Sequence, residues 1–211
     1  MRHLNQFITE YIIKKKLDKP IDSEDHYEYF PKTREELVKN IKELIKDNRY
    51  NFNCIDTSEI TDMSYLFKDL GDKIENNDFD VSEWNVSNVE NMSHMFYACR
   101  NLDYDLSNWN VSKVKDMKYM FYKCENFTGK GLDKWDVSKV ENMQDMFEDC
   151  EKFEGNGLEN WDVSNVLNME YMFRKCKKLN CDLSNWNVNN VKNMYNMFYG
   201  CNSLKNTPNW Y

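Results

Sequence analysis

The chain of 211 residues carries 28 Lys and Arg against 36 Asp and Glu, a formal net charge of −8, with 41% hydrophobic and 15% aromatic residues but only 6 Gly and 3 Pro. That apolar content suffices for a buried core and excludes wholesale disorder, and no window approaches the roughly 18 apolar residues of a membrane span. An acidic balance also argues against a nucleic-acid binder, which needs a basic surface for phosphates.

The amino terminus interrupts its apolar residues with Asn5, Gln6, Thr9 and Glu10, so it reads as no secretory signal, and a cytoplasmic location is expected. Leu4, Phe7, Ile8, Tyr11 and Ile12 instead follow helical spacing, and Lys14, Lys15 and Lys16 suit the negative end of such a helix. A second helix opens at Thr33-Arg-Glu-Glu36, a capping box, with Leu37, Ile41, Leu44 and Ile45 on one side. Residues 1–51 are therefore expected to be a helical N-terminal cap, with the aromatic loop His26–Phe30 packed between its helices.

An internal repeat occupies 52–211. Trp84, Trp109, Trp135, Trp161, Trp186 and Trp210 recur at intervals of 24–26 residues, and an earlier copy aligns Ile55 with Trp84 at an offset of 29. In the same frame stand Met92/Met95, Met117/Met120, Met143/Met146, Met169/Met172 and Met194/Met197. Each second Met is followed by Phe and then by Cys99, Cys124, Cys150, Cys176 or Cys201. The result is about six repeats of 24–29 residues.

Met92, Met95, Phe96 and Cys99 are spaced i, i+3, i+4, i+7, which predicts two helical turns with one apolar face, N-capped by Asn91 and its equivalents Asp116, Asn142, Asn168 and Asn193. After each Cys, the stretches 102–106, 127–132, 153–158 and 179–183 have apolar ends and polar or glycine-containing centres, read as short strands. Strands stack more closely than helices pack, so an array of such units should curve with strands on its concave side. The recurring Trp, Met and Cys, including Met95, Met120, Met146, Met172 and Met197, are assigned to the core. The Cys column has no paired spacing of a zinc site, and seven cysteines cannot form a complete disulfide framework. Asn85, Asn110, Asp136, Asp162 and Asn187, each following a Trp, are read as turn formers.

A segment such as Leu158-Glu-Asn-Trp161-Asp-Val-Ser-Asn-Val166-Leu-Asn-Met169-Glu-Tyr-Met172-Phe173 resembles the repeats of the BspA-like leucine-rich-repeat family of bacterial surface proteins, and the resemblance extends over 52–211. It implies an α/β fold, a curved leucine-rich-repeat-like solenoid of short strands and short helices. It also implies adhesion or protein recognition, a cell-surface location, and no catalytic residues or cofactor to transfer.

The sequence contains no nucleophile elbow, phosphate-binding glycine loop, zinc-protease motif or calcium loop, so a non-enzymatic recognition or adhesion module is expected, with an unidentified protein as partner and a monomer favoured over an oligomer. Function should lie where repeats differ. On the outward side these positions are rich in tyrosine, with Tyr97, Tyr119, Tyr122, Tyr171 and Tyr199 as candidate contacts. A second candidate surface, on the strand side, comprises Asp103, Tyr104, Asp105 and Asp182 and would suit a basic segment. The alternative function is a structural or self-assembling scaffold component that uses its last coil, blunted by Pro208.

Overall fold

The computed structural model describes residues 27–68 and 79–211; the helix expected over Leu4–Ile12, His26 and the position of Leu70 lie outside them. The α-helix among the described residues is α1, Arg34–Lys46. Thr33 caps it, its Oγ1 accepting from the Glu36 N–H at 3.2 Å, while the Glu36 carboxylate accepts from the Lys32 N–H at 2.7 Å. Leu37, Ile41 and Leu44 are buried in the same core as Phe52, so α1 covers the start of the array. Arg34 Nε donates to the Ser64 carbonyl at 2.7 Å across that junction.

The strand-and-helix architecture expected from the sequence is not formed. No strand and no sheet occur among the described residues, whose pairing is limited to seven isolated parallel bridges such as Asn91 with Asp116 and Asn142 with Asn168. The leucine-rich-repeat-like solenoid is thereby corrected to a stack of turn-built coils, one per repeat.

The Met-x-x-Met-Phe-x-x-Cys segments explain why. In 92–99 alternate N–H groups leave the coil: Met92, His94, Phe96 and Ala98 donate to the carbonyls of Asp116, Lys118, Met120 and Tyr122 in the next coil, at 2.7–2.9 Å. The intervening N–H groups of Met95, Tyr97 and Cys99 close three-residue turns onto Met92, His94 and Phe96 at 3.0–3.2 Å. An α-helix requires successive N–H groups to reach carbonyls four residues back in the same segment, and left-handed φ values of 59° at His94 and 60° at Ala98 prevent that. Linked turns also place i, i+3, i+4 and i+7 on one side, so Met92, Met95, Phe96 and Cys99 are all buried although no helix exists. Asn91 accordingly forms an Asx turn, with Oδ1 accepting from the Ser93 N–H at 3.0 Å, instead of capping a helix. Asn85 and Asp136 do the same for Ser87 and Ser138.

The stretches read as strands carry only scattered inter-coil bonds, for example Leu106 N–H to Lys130 O at 3.2 Å and Asn180 N–H to Glu154 O at 3.1 Å. In the two 26-residue units, glycine at φ +89° (Gly131) and +87° (Gly157) turns the chain into short 3₁₀ segments, Leu132–Lys134 and Leu158–Asn160. A Cβ on Gly131 would stand 2.3 Å from the Ser107 nitrogen, so the coils approach too closely there for any side chain.

The core consists of columns running through the stack. Phe67, Phe96, Phe121, Phe147, Phe173 and Phe198 stack ring on ring at 5.5–5.8 Å. Trp84, Trp109, Trp135, Trp161 and Trp186 are no more than 4% exposed. Each donates its indole N–H to a carbonyl of the preceding coil, those of Phe52, Val81, Leu106, Leu132 and Leu158, at 2.8–3.2 Å. Met95, Met120, Met146, Met172 and Met197 are fully buried. The thiols of Cys99, Cys124, Cys150, Cys176 and Cys201 donate to the carbonyls of Phe67, Phe96, Phe121, Phe147 and Phe173 at 2.9–3.3 Å. These carbonyls also accept a turn N–H within their own coil, for example Leu106 from Trp109 and Phe96 from Cys99, so one tryptophan and one cysteine per coil supply a second donor that ties neighbouring coils together.

Candidate recognition surface

The turns that bury Met, Phe and Cys direct the residues between them outward, and the parallel register aligns these into a ridge. Tyr65, His94 and Tyr119 stack in one column with centroids 4.3 and 4.8 Å apart; Tyr97 and Tyr122 stack beside it at 4.7 Å. Lys68 lies 5.4 and 5.1 Å from the centres of the Tyr65 and Tyr97 rings, Lys118 5.4 Å from Tyr119, and Lys123 5.2 Å from Tyr122.

The next coil puts carboxylates into both columns. Asp145 and Glu148 are 2% and 4% exposed, and Glu148 pairs with Arg174. Asp145 Oδ2 is buried without a hydrogen-bond partner. Burial first, and then the neighbouring Asp145, push the Glu148 carboxyl up to about 7 despite Arg174. His94 moves the other way, down to about 4, through burial and then the charges of Lys118 and Lys68. Burial and Asp145 raise the Tyr119 hydroxyl.

Beyond the acids, Tyr171 meets Tyr195 edge to face at 5.5 Å, and the Arg174 guanidinium lies 5.3 Å from the Tyr171 ring and 5.7 Å from the Tyr199 ring. Tyr195 and Tyr199 are 60% and 61% exposed, whereas Tyr97, Tyr119, Tyr122 and Tyr171 are half-buried. Tyr195 was not among the residues singled out from the sequence. Its column holds Ser64, Ser93, Lys118, Gln144 and Glu170 in the other coils, so a search for recurring tyrosines passes over it.

The second candidate surface is engaged within the protein. Asp103 Oδ1 accepts from the Thr128 N–H at 3.0 Å and the Thr128 hydroxyl at 2.6 Å. Asp105 binds the Ser107 N–H and pairs with Lys130 at 3.0 Å, and the Ser107 and Lys130 bonds hold its carboxyl down at about 2. Asp182 accepts from the Ser184 N–H at 2.9 Å, three coils away from Asp105, and Tyr104 packs against Phe79 at 5.2 Å. The structure thus brings Asp103 and Asp105 together but not Asp182. Among the described residues no group of three or more His, Cys, Asp or Glu side chains is placed to hold a metal ion, and no helix is long and apolar enough to cross a membrane.

A family described as "Mycoplasma protein of unknown function, DUF285" matches residues 35–131 and again 126–211. No curated protein and no solved structure matches the chain.

Proposed function

The chain belongs to the DUF285 family, and we propose that it is a non-enzymatic protein-recognition module whose binding surface is the tyrosine-rich ridge. One observation carries the reading. The inward columns repeat the same Trp, Met, Phe and Cys in coil after coil, while the outward columns vary along the stack and expose Tyr65, Tyr195 and Tyr199 by 45%, 60% and 61%. Tyrosine supplies rigid contact area and a polar tip at low entropic cost, which is why it concentrates in binding surfaces. The likeness of the repeats to BspA-like surface proteins points to the same kind of role, adhesion included.

The test is affinity capture from the source organism and from cells it contacts, with the intact chain beside Tyr195→Ala/Tyr199→Ala. These two rings are exposed, so the variant should keep the wild-type melting curve. A protein retained by the intact chain and lost by the variant supports recognition through the ridge. Retention of every captured protein by the variant refutes it.

A second reading, a self-assembling scaffold, draws on the backbone of 193–200. The N–H groups of Met194, Asn196, Phe198 and Gly200 have no acceptor among the described residues, whereas their equivalents in the preceding coil donate to Asn193, Tyr195, Met197 and Tyr199. The carbonyls of Met194, Asn196 and Phe198 are already used by turns within the coil, so this edge offers donors only and cannot pair with a second copy of itself. Light scattering that shows a concentration-dependent oligomer dissociated by Trp210→Ala would favour the scaffold over recognition.

A further inference from the structure

We propose that the basic end of the ridge, where Lys68, Lys118 and Lys123 lie over tyrosine rings, docks an acidic peptide segment of a protein partner. The inference rests on the ridge being a recognition surface and names the chemistry of what it recognises.

The protein as a whole is acidic, at −8, yet the described outward positions of three successive coils carry no carboxylate: Ser64, Tyr65 and Lys68, then Ser93, His94, Tyr97 and Ala98, then Lys118, Tyr119, Tyr122 and Lys123; Asp69, which shares a column with Ala98 and Lys123, lies outside the described residues. Among the described residues the first acid on the ridge is Asp145. Asp116, at the entrance to the third of these coils, lies close to Lys118, but its Oδ1 is bound to the Lys118 N–H at 2.9 Å.

The three lysines form none of the ion pairs among the described residues. Farther along the ridge the equivalent cations are neutralised, Arg174 by Glu148 and Lys175 by Asp149. Lys68 and Lys118 both act on His94, so the charges converge on one place instead of pointing apart, and His94 responds by staying neutral. Three ammonium groups held near phenol rings, none of them ion-paired among the described residues of an otherwise acidic molecule, make a local positive field that favours and orients an anionic partner.

The rings decide which anion. Single-stranded nucleic acid gains much of its affinity from bases stacked on open aromatic faces. Here Tyr65, His94 and Tyr119 stack on one another with planes 12° and 24° apart, and Tyr97 and Tyr122 at 17°, so the faces are largely occupied within the ridge. A long polyanion would also run from the lysines onto the buried Asp145 and Glu148 and the repulsion of the remaining chain. A short run of Asp or Glu side chains needs only the three ammonium groups and neighbouring phenol hydroxyls.

The experiment uses the full chain and a fluorescein-labelled hexaglutamate peptide, read by anisotropy at low salt, with hexalysine and a hexathymidine oligonucleotide in parallel. Hexaglutamate should bind, hexalysine should not, and raising the ionic strength should weaken binding as the Debye length shortens. Replacing all three lysines, as Lys68→Glu/Lys118→Glu/Lys123→Glu, should reduce affinity by at least about tenfold. Lys68→Gln/Lys118→Gln/Lys123→Gln, which adds no repulsion between coils, should also lose binding if the charge-reversed protein fails to fold.

Undiminished hexaglutamate binding by the folded glutamine variant overturns the proposal, as does no binding by the wild type or tighter binding of the oligonucleotide. The recognition reading fails separately. A captured partner that is lost with Tyr195→Ala/Tyr199→Ala but kept by the lysine variants leaves recognition standing and removes the acidic-segment assignment.

Discussion

Glu148 and His94 should impose opposite pH dependences on stability, and substituting either one should uncover the other. Glu148 has its carboxyl raised from 4.5 to about 7, so its proton is held more tightly in the folded state than in the unfolded one. Its stabilising contribution is complete below about 4.5 and is lost as pH rises towards about 7. With the side chain 5% exposed and each pKa unit equivalent to about 1.4 kcal/mol, the loss is about 3 kcal/mol, or about 6–12 °C in melting temperature for a chain of this size. His94 is lowered from 6.5 to about 4, so its contribution is complete above about 6.5 and is lost as pH falls towards about 4. Between about 4.5 and 6.5 the two oppose each other and the wild-type stability curve should be shallow. Glu148→Gln should then lose stability on acidification through that window, and His94→Phe, which keeps a ring in the stack, should lose it on alkalinisation towards pH 7. Urea unfolding followed by tryptophan fluorescence at half-unit pH steps reads both slopes. Parallel curves for wild type and Glu148→Gln from pH 4.5 to 7.5 would refute the assignment of a buried, proton-sharing carboxyl at Asp145 and Glu148.

Three further outcomes follow from the core. Trp135→Phe removes the 3.0 Å indole bond to the Leu106 carbonyl, which keeps the Trp109 N–H at 3.1 Å, and opens space beside Trp109, and should cost about 1–3 kcal/mol in urea unfolding with an unchanged slope; a loss under about 0.5 kcal/mol would show that the indole ladder is incidental. Gly131→Ala must hold a side chain at φ +89° against the Ser107 backbone, and should destabilise by more than about 2 kcal/mol, whereas Gly200→Ala, whose Cβ meets Lys175 atoms at 3.3–3.6 Å, should cost less; a reversed order by thermal melting would contradict the close approach of those coils. Deleting 135–160 removes one whole coil and joins Lys134 to Trp161 in the same frame, so a cooperative melt should survive, while deleting 135–147 should abolish it; equal tolerance of the two in circular dichroism would remove the stacked-coil account.

The sequence alone determined the repeat frame, the inward columns and the capped helix α1. Burial of Trp, Met, Phe and Cys depends on side-chain type and spacing, and the spacing i, i+3, i+4, i+7 turns the same residues inward whether the backbone is a helix or a chain of turns. Thr33 and Glu36 are likewise local, since a cap needs only residues three apart. What the sequence could not determine is where each N–H goes. The choice between an i−4 carbonyl in the same segment and a carbonyl about 25 residues ahead is made by packing, because Met92, His94, Phe96 and Ala98 find their acceptors only once the next coil is in place. That choice removed the expected helices and strands. It also decided the surface: Asp103, Asp105 and Asp182 are bound by neighbours that no motif reveals, Tyr195 and Tyr199 stand clear, and three lysines separated in the chain gather over one set of rings. Column membership is periodic and can be read from the sequence, but the neutralising partner of a charge lies one coil away and depends on the stacking register, which exists only in the folded protein.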